Sequence, residues 1–280
     1  MRVDLHTHTN ASDGLLSPAT LVRTVQSADL QVFSVTDHDT VDGLAEAKAH
    51  ASAAGLTLIP GIELSAMWQS VELHILGYFL DPADPTLLAF LRARRDARRT
   101  RLYAMVSRLR ALGITVEAEE VIARAKDGNV GRPHLARALV EKGVATSTDE
   151  AFERLLGAGK PAYVPRPDVT VQDAIRAIHG AGGVASLAHP GLYGRDDAIP
   201  ALVSAGLDAL EVYHVNHPPG LTAHYRRLAE RHTLLVTGGS DFHGAAGGSH
   251  SPVPGVPCLP EADYDRLRMG AEARRGGPRG

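Results

Sequence analysis

Val3-Asp4-Leu5-His6-Thr7-His8 is the stretch from which the fold is read. Val3-Asp4-Leu5 has the make-up of a short buried strand, and alternate side chains of a strand share a face. His6 and His8 therefore point the same way at its carboxyl end, with Asp13 close behind. A single His-x-His pair also fits chance or a hydrogen-bonded core. The pattern gains weight from other apolar, β-prone runs that end in the same chemistry. Val32-Phe33-Ser34-Val35 leads into Thr36-Asp37-His38-Asp39, and Leu56 to Ile62 leads into Glu63. His74 lies within Leu73 to Phe79, and Val184 to Ala188 precedes His189-Pro190. Leu234 to Thr237 leads through two glycines to Ser240-Asp241-Phe242-His243, where Asp241 and His243 repeat the opening spacing. Imidazoles and carboxylates crowding strand ends make poor core filler, because a buried charge needs a partner or a metal.

Strand-like runs near 3–8, 32–37, 57–64, 72–79, 183–188, 208–214 and 234–240 number seven. Ala-rich helical stretches separate most of them, the first opened by Ser17 as N-cap and Pro18 behind it. Strand alternating with helix argues a parallel sheet. Polar residues gathered at the carboxyl ends argue an α/β fold, an irregular seven-stranded TIM-like barrel. An open doubly wound sheet is the alternative, but ligands from both ends of the chain converge more easily in a closed barrel. Between Asp81 and Val164 the rhythm breaks into helical patterns, with one long helix over 87–112 and shorter ones at 117–125, 134–141 and 148–156. The expected organisation is a discontinuous barrel over 1–80 and 165–270, a helical insertion over 81–164 capping the barrel's C-terminal face, and a disordered tail over 271–280.

Composition narrows the function. At 280 residues and 44% hydrophobic, the chain is large enough for one barrel-sized domain carrying an insertion. It has no apolar run of membrane-spanning length and no basic-then-apolar leader, and the lone Cys258 suits a reducing cytoplasm. A net charge of −3 is too balanced for a long nucleic-acid surface. The four lysines, Lys48, Lys126, Lys142 and Lys160, all fall outside the candidate strands, which disfavours Schiff-base chemistry and a lysine-bridged metal pair.

These motifs resemble the PHP (polymerase and histidinol phosphatase) family of metal-dependent phosphoesterases. The resemblance covers nearly the whole chain and all nine ligand positions: His6, His8, Asp13, His38, Glu63, His74, His189, Asp241 and His243. It implies that His6, His8, Glu63 and Asp241 hold one divalent ion. Glu63 would bridge to a second ion, held also by His74 and His189, and Asp13, His38 and His243 would hold a third. The expected cofactors are thus two or three divalent ions, manganese first and zinc or iron as alternatives. Three such ions against three ligand carboxylates leave a cationic pocket suited to a phosphate dianion. The expected chemistry is attack on phosphorus by a hydroxide whose pKa the metals lower, with Glu63, Asp241 and His189 as catalytic residues and no phosphoenzyme.

Substrate reading falls to other residues. Arg94, Arg98 and Arg101 share a helical face. Arg132 and His134 flank the Pro133 helix start, whose free N–H groups favour an anion. Gly131-Arg132-Pro133-His134 and Gly159 to Pro165 resemble the family branch of nucleoside 3′,5′-bisphosphate phosphatases and short-oligonucleotide 5′→3′ exoribonucleases. That branch implies that Arg132 and His134 bind a second phosphate or the nucleoside, and the shared helical face adds Arg98 and Arg101 as substrate-binding candidates. His217 is a candidate for substrate contact or leaving-group protonation. The expectation is therefore a nucleotide phosphatase acting on a 3′,5′-bisphosphate such as pAp. A 5′→3′ exonuclease on short 5′-phosphorylated RNA is the alternative, followed by a histidinol-phosphatase-like enzyme, amidohydrolase chemistry or a non-catalytic metal-binding module. Asp4, Asp37 and Asp39 are read as possible partners of ligand imidazoles, and His250 as an ordinary loop histidine.

Overall fold

A computed structural model describes residues 1–124, 130–165, 169–244 and 250–276. The chain divides into two compact units, one of Met1–Leu88 with Val169–Gly280 and the other of Ala89–Asp168.

The first unit opens with β1 (Val3–Asp4), α1 (Pro18–Ser27), β2 (Val32–Val35), α2 (Leu44–Ala53), β3 (Thr57–Trp68) and β4 (Val71–Tyr78). Ser17 caps α1 by accepting from Thr20 N at 3.2 Å, with Pro18 in the first turn. The chain then enters α3 (Pro85–Ala111), followed by α4 (Ala118–Arg124), α5 (Arg132–Glu141) and α6 (Thr148–Ala151), which runs on as a π-turn over Phe152–Leu156. It returns through α7 (Val171–Gly180), β5 (Val184–Leu187), α8 (Pro190–Tyr193), α9 (Ile199–Ser204), β6 (Ala209–Tyr213), α10 (Pro219–Arg231), β7 (Leu235–Gly238) and α11 (Glu261–Gly276).

The seven strands lie in sequence order, β1 to β7. β1 to β3 pair in parallel, as do β5 to β7, but β4 runs antiparallel to both neighbours. An all-parallel sheet is therefore corrected. Only Gln69 and Ser70 separate β3 from β4, far too few residues for a parallel crossover, so the two strands form a hairpin. The sheet curls back on itself where Leu5 N donates to Gly238 O at 3.2 Å and Thr7 bridges Phe242 in parallel. This nearly closed, seven-stranded barrel buries Leu5, Phe33, Ile62, Leu64 and Leu76 completely. Each such side chain contributes about 1.5–3 kcal/mol of burial.

The last helix departs from expectation. Residues 271–276, expected to be disordered, continue α11, which packs on β7. Tyr264, Leu267 and Ala271 form its buried face. An Arg/Ala-rich composition hides that face, because only one large aliphatic residue marks it. Residues 277–280, and Ala125 at the end of the helix expected over 117–125, lie outside the described residues.

The second unit has a core of its own. Leu102, Leu109, Val121, Leu135, Leu139 and Leu156 are buried together, drawn from α3, α4, α5 and the π-turn. α3 is one unbroken helix of 27 residues.

Candidate metal centre

Glu63 is the hub of the barrel's polar cluster, buried in β3. Its Oε1 lies 2.8 Å from His74 Nδ1 and 3.1 Å from His189 Nε2. Its Oε2 lies 3.3 Å from His6 Nε2 and 3.2 Å from both His8 Nε2 and His38 Nδ1. The hairpin supplies His74: Ser65 pairs with His74 across β3 and β4, and Ser65 shares the face of Glu63. The other imidazoles arrive from the ends of β1, β2 and β5, so the long polypeptide separations collapse at one rim.

Asp241 is the second hub. Its Oδ1 lies 3.3 Å from the Nε2 of both His6 and His8, and 3.6 Å from His243 Nδ1. Its Oδ2 takes His250 Nδ1 at 2.9 Å and His214 Nε2 at 3.4 Å. His214 Nδ1 accepts from Asn216 N, so its Nε2 carries the hydrogen and donates. Oδ2 is thereby held, and Oδ1 is turned toward His6 and His8. Asp13 forms a third hub, 3.3 Å from His243 Nε2, 3.6 Å from His38 Nε2 and 3.8 Å from His8 Nδ1.

The donor set fits divalent cations. His243 Nδ1 donates to the Asp241 carbonyl at 2.9 Å, which leaves a lone pair on Nε2. Among the described residues that buried Nε2 has no hydrogen-bond partner, and it faces the Asp13 carboxylate, acceptor against acceptor. Both ring nitrogens of His8 are likewise buried without a hydrogen bond among the described residues, although Glu63 and Asp241 stand beside Nε2. Such an arrangement asks for a cation between the groups. Donors close enough to share an ion fall into several sets, among them His8–Asp13–His38–His243, His6–His8–Glu63, His6–His189–Asp241 and His38–Glu63–His74. The mixed nitrogen and oxygen ligation suits manganese, zinc or iron alike.

Electrostatics agree. Burial works against ionised Glu63, yet the charges of His38, His6 and His74 outweigh it and hold its carboxyl well below the usual range. Asp241 is held down in the same way, by His6 first and then by hydrogen bonds from His214 and His250. Burial resists a charge on His8, but Asp241 and Glu63 raise it to about 10. For His38 burial prevails and lowers it to about 4.

All nine ligand positions of the sequence reading thus lie in one cluster, and among the described residues Glu211, His214 and His250 join it. Glu211, fully buried on β6, contacts His6 Nδ1 at 2.9 Å and His189 N at 2.7 Å. A lone carboxylate inside the apolar run Ala209 to Val212 was the available signal, by the rule that buried charges need partners. His214 and His250 both hold Asp241, so His250 is corrected from a loop histidine to a member of the cluster. Its sequence surroundings carry no local signature of that role.

His217 is also corrected. It is buried, its Nδ1 donates to Val212 O at 3.0 Å and its Nε2 accepts from Gly191 N at 3.1 Å. With both nitrogens committed to the backbone, the ring has none left to contact substrate or protonate a leaving group. Asp4 and Asp37 hold backbone N–H groups and hydroxyls instead of imidazoles. Asp4 accepts from His6 N, Ser240 N, Ser240 Oγ and Gly255 N, and Asp37 accepts from Thr9 N, Thr9 Oγ1 and Ser12 Oγ.

In the helical unit, Arg132 lies over the Phe152 ring at 5.7 Å and the Tyr163 ring at 5.8 Å, while Arg101 lies 5.7 Å from the Tyr163 centroid. Arg101 Nε donates to Val164 O at 2.7 Å. His134 Nδ1 accepts from Gly131 N at 3.2 Å and caps the start of α5. Arg98 stands beside Gly131.

Comparison with known proteins gives the same direction. The sequence profile of the PHP domain matches residues 4–146. The 5′-3′ exoribonuclease Rnm of Salmonella typhimurium is 38% identical over 247 residues, spanning 86% of this chain and 84% of that protein. The 3′,5′-nucleoside bisphosphate phosphatase of Chromobacterium violaceum is 35% identical over 247 residues, spanning 86% and 87%. A crystal structure from Bifidobacterium adolescentis, described as a candidate metal-dependent phosphoesterase, superposes with a TM-score of 0.80 at 34% identity and covers 95% of each chain.

Proposed function

Because this chain belongs to the PHP domain family and is similar to a 3′,5′-nucleoside bisphosphate phosphatase, we propose that it removes the 3′-phosphate from nucleoside 3′,5′-bisphosphates, converting pAp to AMP and phosphate. The observation that carries the reading is Glu63, one buried carboxylate within 3.3 Å of imidazoles from His6, His8, His38, His74 and His189. Two oxygens facing separate imidazole sets suit a bridge between two cations. Divalent ions in such a centre make a water acidic near neutral pH and neutralise charge on phosphate oxygens. We assign two or three of them to it, with manganese first.

The protein's own contribution is to hold and aim. Glu63, Asp241 and His189 act at the reacting centre, and Asp13, His38 and His243 flank it. Asp241 is aimed by His214 and His250, which occupy the oxygen facing away from His6 and His8. Ser240 is fully buried, and its hydroxyl donates to Asp4 Oδ2 at 2.6 Å, which ties the end of β7 to β1. Arg98, Arg101, Arg132 and His134 of the helical unit are assigned to the phosphate or nucleoside that is not cut. Planar guanidinium forks suit a phosphate, and aromatic faces hold Arg101 and Arg132 in place. A chain with one cysteine and small anionic substrates fits the cytoplasm.

A second reading, a 5′→3′ exonuclease on short 5′-phosphorylated RNA, is favoured by the 38% identity to an exoribonuclease. Steady-state rates with Mn2+ on pAp, on AMP and on a 5′-phosphorylated trinucleotide separate the two. The phosphatase reading expects pAp to give the highest kcat/KM. Mononucleotide release from the trinucleotide at a higher kcat/KM replaces it with the exonuclease.

A further inference from the structure

Glu211 stands outside the nine ligand positions, yet it touches a residue on each side of the Glu63 hub. It is fully buried, and its two oxygens serve different elements. Oε1 meets His6 Nδ1 at 2.9 Å, at the end of β1. Oε2 accepts from the His189 backbone N at 2.7 Å, where β5 ends.

The first contact decides which His6 nitrogen carries the hydrogen. An ionised carboxylate only accepts, so Nδ1 donates to Glu211 and the Nε2 lone pair is free to bind a cation. That Nε2 lies 3.3 Å from both Glu63 Oε2 and Asp241 Oδ1. The second contact acts on the backbone. His189 has φ 28° and ψ 55°, a left-handed conformation that is strained for a non-glycine residue. The hydrogen bond to a carboxylate supports that backbone conformation, from which the ring places Nε2 3.1 Å from Glu63 Oε1.

We infer that Glu211 is a positioning residue that orients His6 and His189 together, organising the cation positions on both sides of Glu63. It makes no such contact with His243, whose ring is set by the Asp241 carbonyl, or with Asp13. The inference rests on the proposed cation-binding role of Glu63 and adds a residue that supports two ligands at once.

The test is Mn2+ titration of the metal-stripped full chain, comparing the native protein with Glu211→Gln. A glutamine can accept one of the two hydrogen bonds but not both. Two of the bound ions should weaken by about 10–100-fold, the range for outer partners of metal ligands. An ion held by Asp13, His38 and His243 should keep its affinity. Unchanged affinity at every position, or an equal loss at all of them, overturns the inference.

A second measurement needs no variant. In the Zn2+-loaded native chain, 15N spectra of the histidine rings should show His6 with hydrogen on Nδ1 and metal on Nε2. The opposite arrangement overturns the inference even if Glu211→Gln does not fold. Failure of the underlying reading is distinct, because the native chain itself would then bind no stoichiometric Mn2+.

Discussion

Glu63 and Gly239 impose opposite demands on the same few ångströms. Glu63 needs an ionised carboxylate with both oxygens facing imidazoles, so Glu63→Gln keeps the volume but removes the charge. Its kcat/KM should fall by more than about 100-fold, beyond the range typical of outer partners of metal ligands, and equilibrium dialysis should show fewer Mn2+ bound per chain. Gly239 needs the absence of a side chain. A Cβ there would lie 2.4 Å from His6 N and 2.7 Å from Asp4 Oδ1. Gly239→Ala should therefore cost about 1–3 kcal/mol in denaturant unfolding and also weaken Mn2+ binding, because it pushes on His6. At this scale the ligands were legible from strand-end chemistry. Glu211 and His214 were less so, since their role depends on whose nitrogen they meet.

Helix caps and the β3–β4 hairpin act at the scale of whole elements. Thr170 and Asp173 cap α7 reciprocally, Thr170 Oγ1 accepting from Asp173 N at 3.1 Å and the Asp173 carboxylate accepting from Thr170 N at 3.2 Å. Thr170→Ala should lower stability by about 1 kcal/mol in thermal or urea unfolding and leave kcat/KM unchanged, since it touches no residue of the metal centre. α11 makes a stronger demand. Leu267 is fully buried, and Leu267→Ala should cost about 2–5 kcal/mol, which a shift in urea midpoint would report. A persistent native midpoint would mean that the last helix does not belong to the folded core. Elements were legible where a cap or a run of large aliphatics marked them, as at Ser17 and along β3. α11 escaped because its buried stripe is sparse, and the strand directions escaped because alternation of side chains does not encode orientation.

At the scale of the whole molecule, cations and protons compete for one cluster. In the metal-free chain His8 is raised from 6.5 to about 10. Its stabilising contribution is complete below about pH 6.5 and is lost as pH rises toward 10. His6 and His74 are raised as well, by Glu211 and by Glu63 against the opposing effect of burial, and act in the same direction. The stripped protein should therefore melt at progressively lower temperature from pH 6.5 to 10, while Mn2+ affinity rises over the same interval as protons leave. A flat melting profile without metal would contradict this coupling. Saturating Mn2+ at about 100 times its Kd should add about 2.7 kcal/mol of stability, and a chelator should remove it together with activity. Among the described residues no helix is long and apolar enough to cross a membrane.

Hydrophobic runs, their spacing and the chemistry at their ends are local properties, and these by themselves determined the seven strands, the helical insertion and the nine candidate ligands. Which oxygen of Glu63 faces which imidazole, the reversal of β4, the burial of His217 against backbone and the double duty of Glu211 were decided only by tertiary structure. The reason is that a linear pattern specifies what a side chain can donate or accept. Its partner is chosen by chain closure, which brings residues such as His6 and Glu211 into contact across 205 positions.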